Sequence, residues 1–196
     1  MNLANKLTML RIFLVPLFLI FISITDFAYS TFIATGIFII ASITDQLDGH
    51  IARKTNQITN FGKFADPLAD KILVLAAMLI LVEFDKLPAW AAVIIIAREF
   101  AVSGLRTIAA AEGKVIAASM WGKVKTVIQI IAIILSLIKV NISTSAYLTD
   151  LVVSNNLIKV IFDYAPTYSV ILAVIITILS GVDYFAKNKN IVDTNK

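Results

Sequence analysis

Long apolar segments dominate this chain of 196 residues and restrict what it can fold into. Each segment is close to the roughly 20 residues that an α-helix needs to cross the hydrocarbon core of a bilayer. With 59% hydrophobic residues and a mean hydropathy of +0.90, the chain is predicted to be all-α, a polytopic membrane protein with a six-transmembrane-helix bundle. The predicted spans are about 8–25, 30–52, 64–82, 88–110, 118–140 and 166–186.

The segments between the spans suggest one domain with two peripheral elements. No linker rich in Pro, Gly or Ser divides the chain, so residues 1–196 are expected to form a single membrane domain. Residues 1–7 are expected to form a short interfacial helix. Residues 141–165 are expected to be an extracytoplasmic loop, with an interfacial helix inside it as the alternative.

Lysine and arginine placement predicts the orientation of the bundle, because cytoplasmic loops carry an excess of these residues. With both termini cytoplasmic, only Lys86, Lys139 and Lys159 fall on the outer side. The net charge of +4 is then explained by orientation and by attraction to anionic lipid, with no need for nucleic acid. The residues on or near the cytoplasmic side are Lys6, Arg11, Arg53, Lys54, Lys63, Arg106, Lys114, Lys123, Lys125, Lys187, Lys189 and Lys196.

Four aspartates lie at the cytoplasmic ends of the second and third spans, in TDQLDGHIARKTNQITNFGKFADPLAD. Asp45 and Asp48 are three residues apart and Asp66 and Asp70 are four apart, so each pair shares one face of a helix. Ionised carboxylates at a membrane are costly unless paired or coordinated. Their oxygens suit hard divalent cations such as magnesium, manganese or calcium.

Other residue types narrow the chemistry further. The chain has no cysteine and one histidine, which excludes disulfides, thiolate catalysis and a zinc site built from several histidines. Gly49 leaves room for a ligand beside the first aspartate pair, and Arg53 is placed to direct a fork of donors at a phosphate. The predicted site therefore suits phosphate chemistry.

The pattern D-x2-D-G-x2-A-R-x8-G-x3-D-x3-D in this stretch resembles the signature of the CDP-alcohol phosphotransferases. The resemblance implies an integral membrane enzyme that transfers a phosphate-linked group from a CDP-linked donor to an alcohol and releases CMP. It also implies two divalent ions, Mg2+ or Mn2+, held by Asp45, Asp48 and Asp66 with Asp70 beside them. Asp70 is then the candidate general base, and a homodimer is expected. Contacts to the CDP group are implied for Gly49, Arg53 and Thr59.

Basic residues inside the later spans form a second candidate site. Arg98 and Arg106 are eight residues apart and share a helical face, while Lys123 and Lys125 interrupt the fifth span. Snorkelling of these side chains to the interface is the structural alternative. Arg98 has a further alternative, in which it pairs with Glu99 or with an aspartate of the motif.

A narrower resemblance covers most of the chain outside 141–165. The segments NLANKLTMLRIFLVP, AREFAVSGLRTIAA and SMWGKVKTVIQ resemble the phosphatidylglycerophosphate synthases. That resemblance implies transfer of a phosphatidyl group from CDP-diacylglycerol to sn-glycerol 3-phosphate, at a site facing the cytoplasm from the cell membrane. Arg98, Arg106, Lys123 and Lys125 would then bind the acceptor phosphate.

Two other functions remain open from the sequence. A sibling enzyme would use inositol phosphate, serine or phosphatidylglycerol as the acceptor. A divalent-cation transporter would use the aspartates as a filter, although these residues cluster at one end of the predicted bundle. No covalent enzyme intermediate is expected, because the chain has no cysteine and shows no activated serine.

Overall fold

The structure, a computed structural model, consists of α-helices and has no strand in the part of the chain that it describes. It describes residues 3–24, 27, 29–55, 60–111, 113–114, 116–117 and 119–189, with side chains for 6–24, 27, 29–44, 68–69, 71–111, 113–114, 116–117 and 119–189. The all-α prediction is confirmed. The helices are α1 (Leu3–Ser23), α2 (Ser30–Thr55), α3 (Asn60–Glu83), α4 (Ala89–Ala111), α5 (Met120–Thr144), α6 (Ala146–Ser154) and α7 (Asn156–Lys187).

The segment 141–165, expected to be a loop with an interfacial helix as the alternative, is almost entirely helical in the structure. It contains the end of α5, all of α6 and the beginning of α7. The hydroxyls of Ser143 and Thr144 donate to the Val140 carbonyl, so these polar residues fit inside a helix. Ser145 and Asn155 act as N-caps, accepting backbone hydrogen bonds at the starts of α6 and α7. Ser145 and Asn155 thus mark helix boundaries.

The N-terminal segment also differs from its prediction. Helix α1 begins at Leu3 and continues without a break to Ser23. Residues 3–7 therefore form the first turn of a long helix, and no separate interfacial helix precedes the first span within the described residues. An apolar sequence with good helix formers gives no signal for a break there.

Among the residues that the structure describes, three helices have the length and apolar composition to cross a membrane: α1 over Lys6–Ser23, α5 over Met120–Thr144 and α7 over Asn156–Lys187. The apolar part of α2, Ser30–Thr44, is shorter. Helices α3 and α4 are as long as the others but carry charged residues such as Lys71, Arg98 and Glu99. The structure thus supports several membrane helices, while the count of six and the orientation stay predictions.

Small side chains allow the helices of the bundle to approach closely. Ala34, Ala41, Ala77, Ala91 and Ala173 have no exposed surface, and the helix pairs α1–α2, α1–α3, α4–α7 and α5–α7 are in contact. Such close packing is the main source of helix association in a bilayer, where lipid is as apolar as the core. The bundle thereby fixes which helix ends lie next to each other.

Large apolar side chains cover the outside of the bundle. Phe13, Val93, Leu157 and Val182 are among those with well over half of their surface exposed. Exposing such side chains to water costs free energy, whereas exposing them to lipid does not. The outer surface therefore agrees with a position inside a bilayer.

Candidate active site

Helices α2 and α3 bring the aspartate motif to one end of the bundle. Asp45 and Asp48 lie in the last half of α2, and Asp66 and Asp70 lie in the first half of α3, which contacts α2. Gly49 and Arg53 are on the last turns of α2. The side chains of these six residues are not among those described, and Thr59 lies outside the described residues. Their roles therefore stay predictions.

The donor set of this motif suits a hard cation. Its members are carboxylates from two packed helices, the ligand type that magnesium and manganese prefer. Among the residues with described side chains, no three His, Asp or Glu residues form a metal-binding group. The aspartate motif therefore stays the predicted metal site.

Arg11 of α1 lies at the same level of the bundle as the first aspartate. The rings of Phe18 on α1 and Phe38 on α2 pack with their centroids 6.0 Å apart. The two helices are joined by a short connection and run antiparallel, so counting seven residues from each ring leads to Arg11 on one helix and Asp45 on the other. Arg11 has no exposed surface. A buried cation is thus built in beside the acidic end of α2.

Arg98 of α4 contacts α7 as well as its own helix. Its Nη2 donates to the Oγ of Ser180 at 2.6 Å, and its Nη1 lies 3.8 Å from the Oε1 of Glu99. Only 12% of the Arg98 side chain is exposed. Its Nε is buried and has no hydrogen-bond acceptor within the described residues. Two contacts therefore hold the guanidinium, and it has further N–H donors that these contacts do not use.

Arg106 of α4 also contacts α7, at a residue one turn after Ser180. Its Nε donates to the Oη of Tyr184 at 2.9 Å, and its guanidinium carbon lies 5.5 Å from the centre of the same ring. Tyr184 is only 1% exposed and packs against Val102 and Leu105 of α4. Arg106 itself is exposed, so its terminal amino groups can reach a ligand.

Lys125 and Lys123 of α5 lie in different environments. Lys125 is 1% exposed and forms an ion pair with Glu99, so it joins α5 to α4 next to Arg98. Lys123 is exposed and, two residues earlier, lies on a different side of the helix. The structure therefore brings Arg98 and Lys125 together at Glu99, with Arg106 two turns further along the same helix, and it does not bring Lys123 into this group. These four residues, Arg98, Glu99, Arg106 and Lys125, are called the basic cluster below.

The alternative in which Arg98 pairs with Glu99 is observed, but the contact between the two side chains is long. The distance of 3.8 Å to Glu99 makes an ion pair, but the shorter contact of Arg98 is to Ser180. Glu99 instead pairs most closely with Lys125. Glu99 therefore organises two cations and does not neutralise Arg98 alone.

Sequence reasoning missed the residues of α7 that contact the basic cluster. Ser180 and Tyr184 are separated from their arginine partners by 82 and 78 residues in the sequence. A signal for them exists: Thr177, Ser180 and Tyr184 are spaced by three and four residues and are all buried within an apolar helix. Polar residues on one buried face of a membrane helix indicate a site inside the bundle.

An apolar groove adjoins the basic cluster between α3, α4 and α5. The space between its lining atoms is about 550 Å3, including the part that is open to the surroundings. Its polar lining includes Lys71, which directly follows Asp70, together with Glu99 and Gln129. The remaining lining is mainly apolar, as at Leu75, Met78, Ile95, Phe100 and Ile130. A ligand with a charged head and an apolar tail would fit such a groove.

Comparisons with known proteins identify the family of the chain. Residues 1–180 match the family model described as CDP-alcohol phosphatidyltransferase. The CDP-diacylglycerol–glycerol-3-phosphate 3-phosphatidyltransferase of Bacillus subtilis is 43% identical, over 95% of this chain and 95% of its own. The enzyme of the same name from Haemophilus influenzae is 44% identical over 67% of this chain and 73% of its own. A probable phosphatidylglycerophosphate synthase of Mycobacterium tuberculosis is 37% identical over 95% of this chain and 81% of its own. The chain therefore belongs to the CDP-alcohol phosphatidyltransferase family.

Proposed function

We propose that this protein transfers the phosphatidyl group of CDP-diacylglycerol to sn-glycerol 3-phosphate, which yields phosphatidylglycerophosphate and CMP in the synthesis of phosphatidylglycerol and cardiolipin. The names of the relatives in Bacillus subtilis and Haemophilus influenzae support the reaction. The observation that carries the choice of acceptor is the basic cluster, which lies beside the helix of the last motif aspartate.

The charge of the basic cluster fits a phosphorylated acceptor. It contains three cations, Arg98, Arg106 and Lys125, and one carboxylate, Glu99. Two positive charges are therefore left over within this group of described side chains, which matches a phosphate monoester dianion. A neutral or zwitterionic acceptor would leave these charges uncompensated, which costs free energy above all at the mostly buried Arg98.

The four aspartates fit a divalent metal, and we propose that Asp45, Asp48, Asp66 and Asp70 hold two ions of Mg2+ or Mn2+. When bound, such ions neutralise charge on the donor pyrophosphate and on the departing CMP. Gly49 and Arg53 would bind the CDP group, and Thr59 is proposed to join them. Arg53 is suited to this task because its guanidinium forms two parallel hydrogen bonds with a phosphate.

Asp70 is the proposed general base. It would accept the proton of the acceptor hydroxyl as that oxygen attacks the β-phosphorus of CDP-diacylglycerol, while the bond to the CMP oxygen breaks. The adjacent residue Lys71 lines the groove shared with the basic cluster, which supports a short distance between acceptor and base. Lys123 is proposed only as an outer contact that attracts the anionic acceptor.

The apolar groove between α3, α4 and α5 is proposed to hold an acyl chain of the donor. Its apolar lining, with Lys71 and Glu99 among its polar residues, would keep the reacting phosphates near the basic cluster and the tail in the bilayer. With six spans and both termini cytoplasmic, this end of the bundle would face the cytoplasm from the cell membrane. A homodimer is also proposed, and light scattering of the detergent-solubilised protein would measure it.

A panel of acceptors tests this function. Purified protein in mixed micelles receives CDP-diacylglycerol, magnesium and one acceptor, and CMP release is measured. Glycerol 3-phosphate should give the fastest release, well above inositol phosphate, serine or phosphatidylglycerol. Faster release with one of the other acceptors would assign the chain to a sibling reaction. Uptake of divalent cations into proteoliposomes without CMP release would instead support a transporter.

A further inference from the structure

The two arginines of the basic cluster are held by one face of α7. Ser180 and Tyr184 are four residues apart, so both lie on that face, and Ser180 has no exposed surface. Ser180 accepts from Arg98 and Tyr184 accepts from Arg106, in the same order along both helices. The helices α4 and α7 therefore run in the same direction here, and this face of α7 fixes the positions of both guanidinium groups.

The spacing of the two pairs differs between the helices. Arg98 and Arg106 are eight residues apart, which corresponds to about 12 Å along α4. Their acceptors on α7 are four residues apart, which corresponds to about 6 Å. The side chains of the two pairs therefore make up the difference between these backbone spacings, and each hydroxyl fixes where its guanidinium lies.

This arrangement has a cost that a ligand would offset. Two guanidinium groups fixed on the same face of one helix repel each other, especially where water is limited. Glu99 compensates for part of this charge, but it pairs most closely with Lys125, and neither hydroxyl of α7 carries a charge. An anion placed between the arginines would contact both, so the geometry is prepared before the ligand arrives.

We propose that Tyr184 and Ser180 are positioning residues that set the spacing of Arg106 and Arg98 for one acceptor phosphate. This inference rests on the proposed function, because it assigns the phosphate of the acceptor to these two arginines. Gly181 supports it, since a Cβ atom there would lie 3.3 Å from the Cγ of Arg98. The missing side chain lets the stem of Arg98 pass close to α7.

The test separates positioning from packing. Tyr184→Phe keeps the ring that packs against Val102 and Leu105 and removes only the hydroxyl. It should raise the KM for glycerol 3-phosphate by about five- to tenfold. The KM for CDP-diacylglycerol and the rate at saturating acceptor should change less than twofold. Ser180→Ala should raise the same KM by a similar factor, because it removes the acceptor of Arg98. This variant provides the test if Tyr184→Phe does not fold.

A double-mutant cycle shows whether the tyrosine acts through its arginine. In the Arg106→Ala background, Tyr184→Phe should add less than a twofold further change, because the contact is already absent. Lys187→Gln on the last turn of α7 is the control, since this exposed lysine pairs only with Asp183 among the described side chains. It should leave both KM values unchanged.

The outcomes for the inference and for the proposed function differ. A wild-type protein that uses glycerol 3-phosphate, together with an unchanged acceptor KM in Tyr184→Phe and Ser180→Ala, would overturn the inference alone. Full additivity of Tyr184→Phe with Arg106→Ala would do the same. A wild-type protein that does not use glycerol 3-phosphate would overturn both.

Discussion

Replacing Arg106 by alanine removes a guanidinium whose position is set by one aromatic side chain. Arg106 donates from Nε to Tyr184, which leaves its terminal amino groups for a ligand. The variant should therefore bind the acceptor phosphate less tightly. CDP-diacylglycerol should bind as before, because Arg106 is neither among the residues proposed to hold the CDP group nor in the lining of the apolar groove.

The size of the effect follows from the exposure of Arg106. A hydrogen bond to a charged group contributes about 1.5–3 kcal/mol, which corresponds to roughly 10- to 150-fold in affinity. Arg106 is exposed in the structure, so solvent weakens the contact and the lower end applies. We expect the acceptor KM to rise about tenfold. The loss of the hydrogen bond to Tyr184 should lower Tm by only about 2–4 °C.

The assay measures CMP release while each substrate is varied in turn, with thermal unfolding of the same detergent samples. Arg106→Lys is the informative companion, since it keeps the charge but loses the fork of donors, and it should recover only part of the affinity. Lys187→Gln controls for removal of a cation at this end of α7. An unchanged acceptor KM in Arg106→Ala, or equal changes for both substrates, would refute the assignment of this residue to the acceptor phosphate.

Three further predictions concern the metal and the remaining charged residues. Chelation with EDTA should abolish CMP release and added Mg2+ or Mn2+ should restore it; full activity in metal-free buffer would contradict the proposed metal site. Asp70→Asn should abolish turnover while calorimetry still detects CDP-diacylglycerol binding, whereas Asp48→Asn should weaken donor and metal binding together. Near-normal turnover of Asp70→Asn would place the base elsewhere. Lys125→Met should raise the acceptor KM by a much larger factor than Lys123→Ala, because Lys125 is buried with Glu99 and Lys123 is exposed. Equal effects of the two substitutions would contradict the different roles proposed for these lysines.

Helix positions could be predicted well where apolar runs are long, and less well where polar residues interrupt them. The segment 141–165 looked like a loop because serine, threonine and asparagine are typical of turns. Within the helices, however, Ser143 and Thr144 bond back to a backbone carbonyl, and Ser145 and Asn155 cap the helices that follow. Propensity alone does not separate a loop from two capped helices in direct succession.

The sequence predicts which residue types form the candidate site, but it predicts only part of how they are arranged. Helical spacing places Arg98 and Arg106 on one face, and both do contact α7. The same reasoning grouped Lys123 with Lys125, although two residues along a helix separate them onto different sides. The contacts with Ser180 and Tyr184 join distant parts of the sequence, so they become visible only when the helices are packed.

The identity of the lipid product tests the central claim most directly. The protein in liposomes that contain CDP-diacylglycerol receives isotope-labelled sn-glycerol 3-phosphate and magnesium, and the lipids are analysed by mass spectrometry. The account predicts that the label appears in phosphatidylglycerophosphate, with one CMP released for each labelled lipid. Consumption of CDP-diacylglycerol without any labelled lipid, or a labelled product that still contains cytidine, would contradict it.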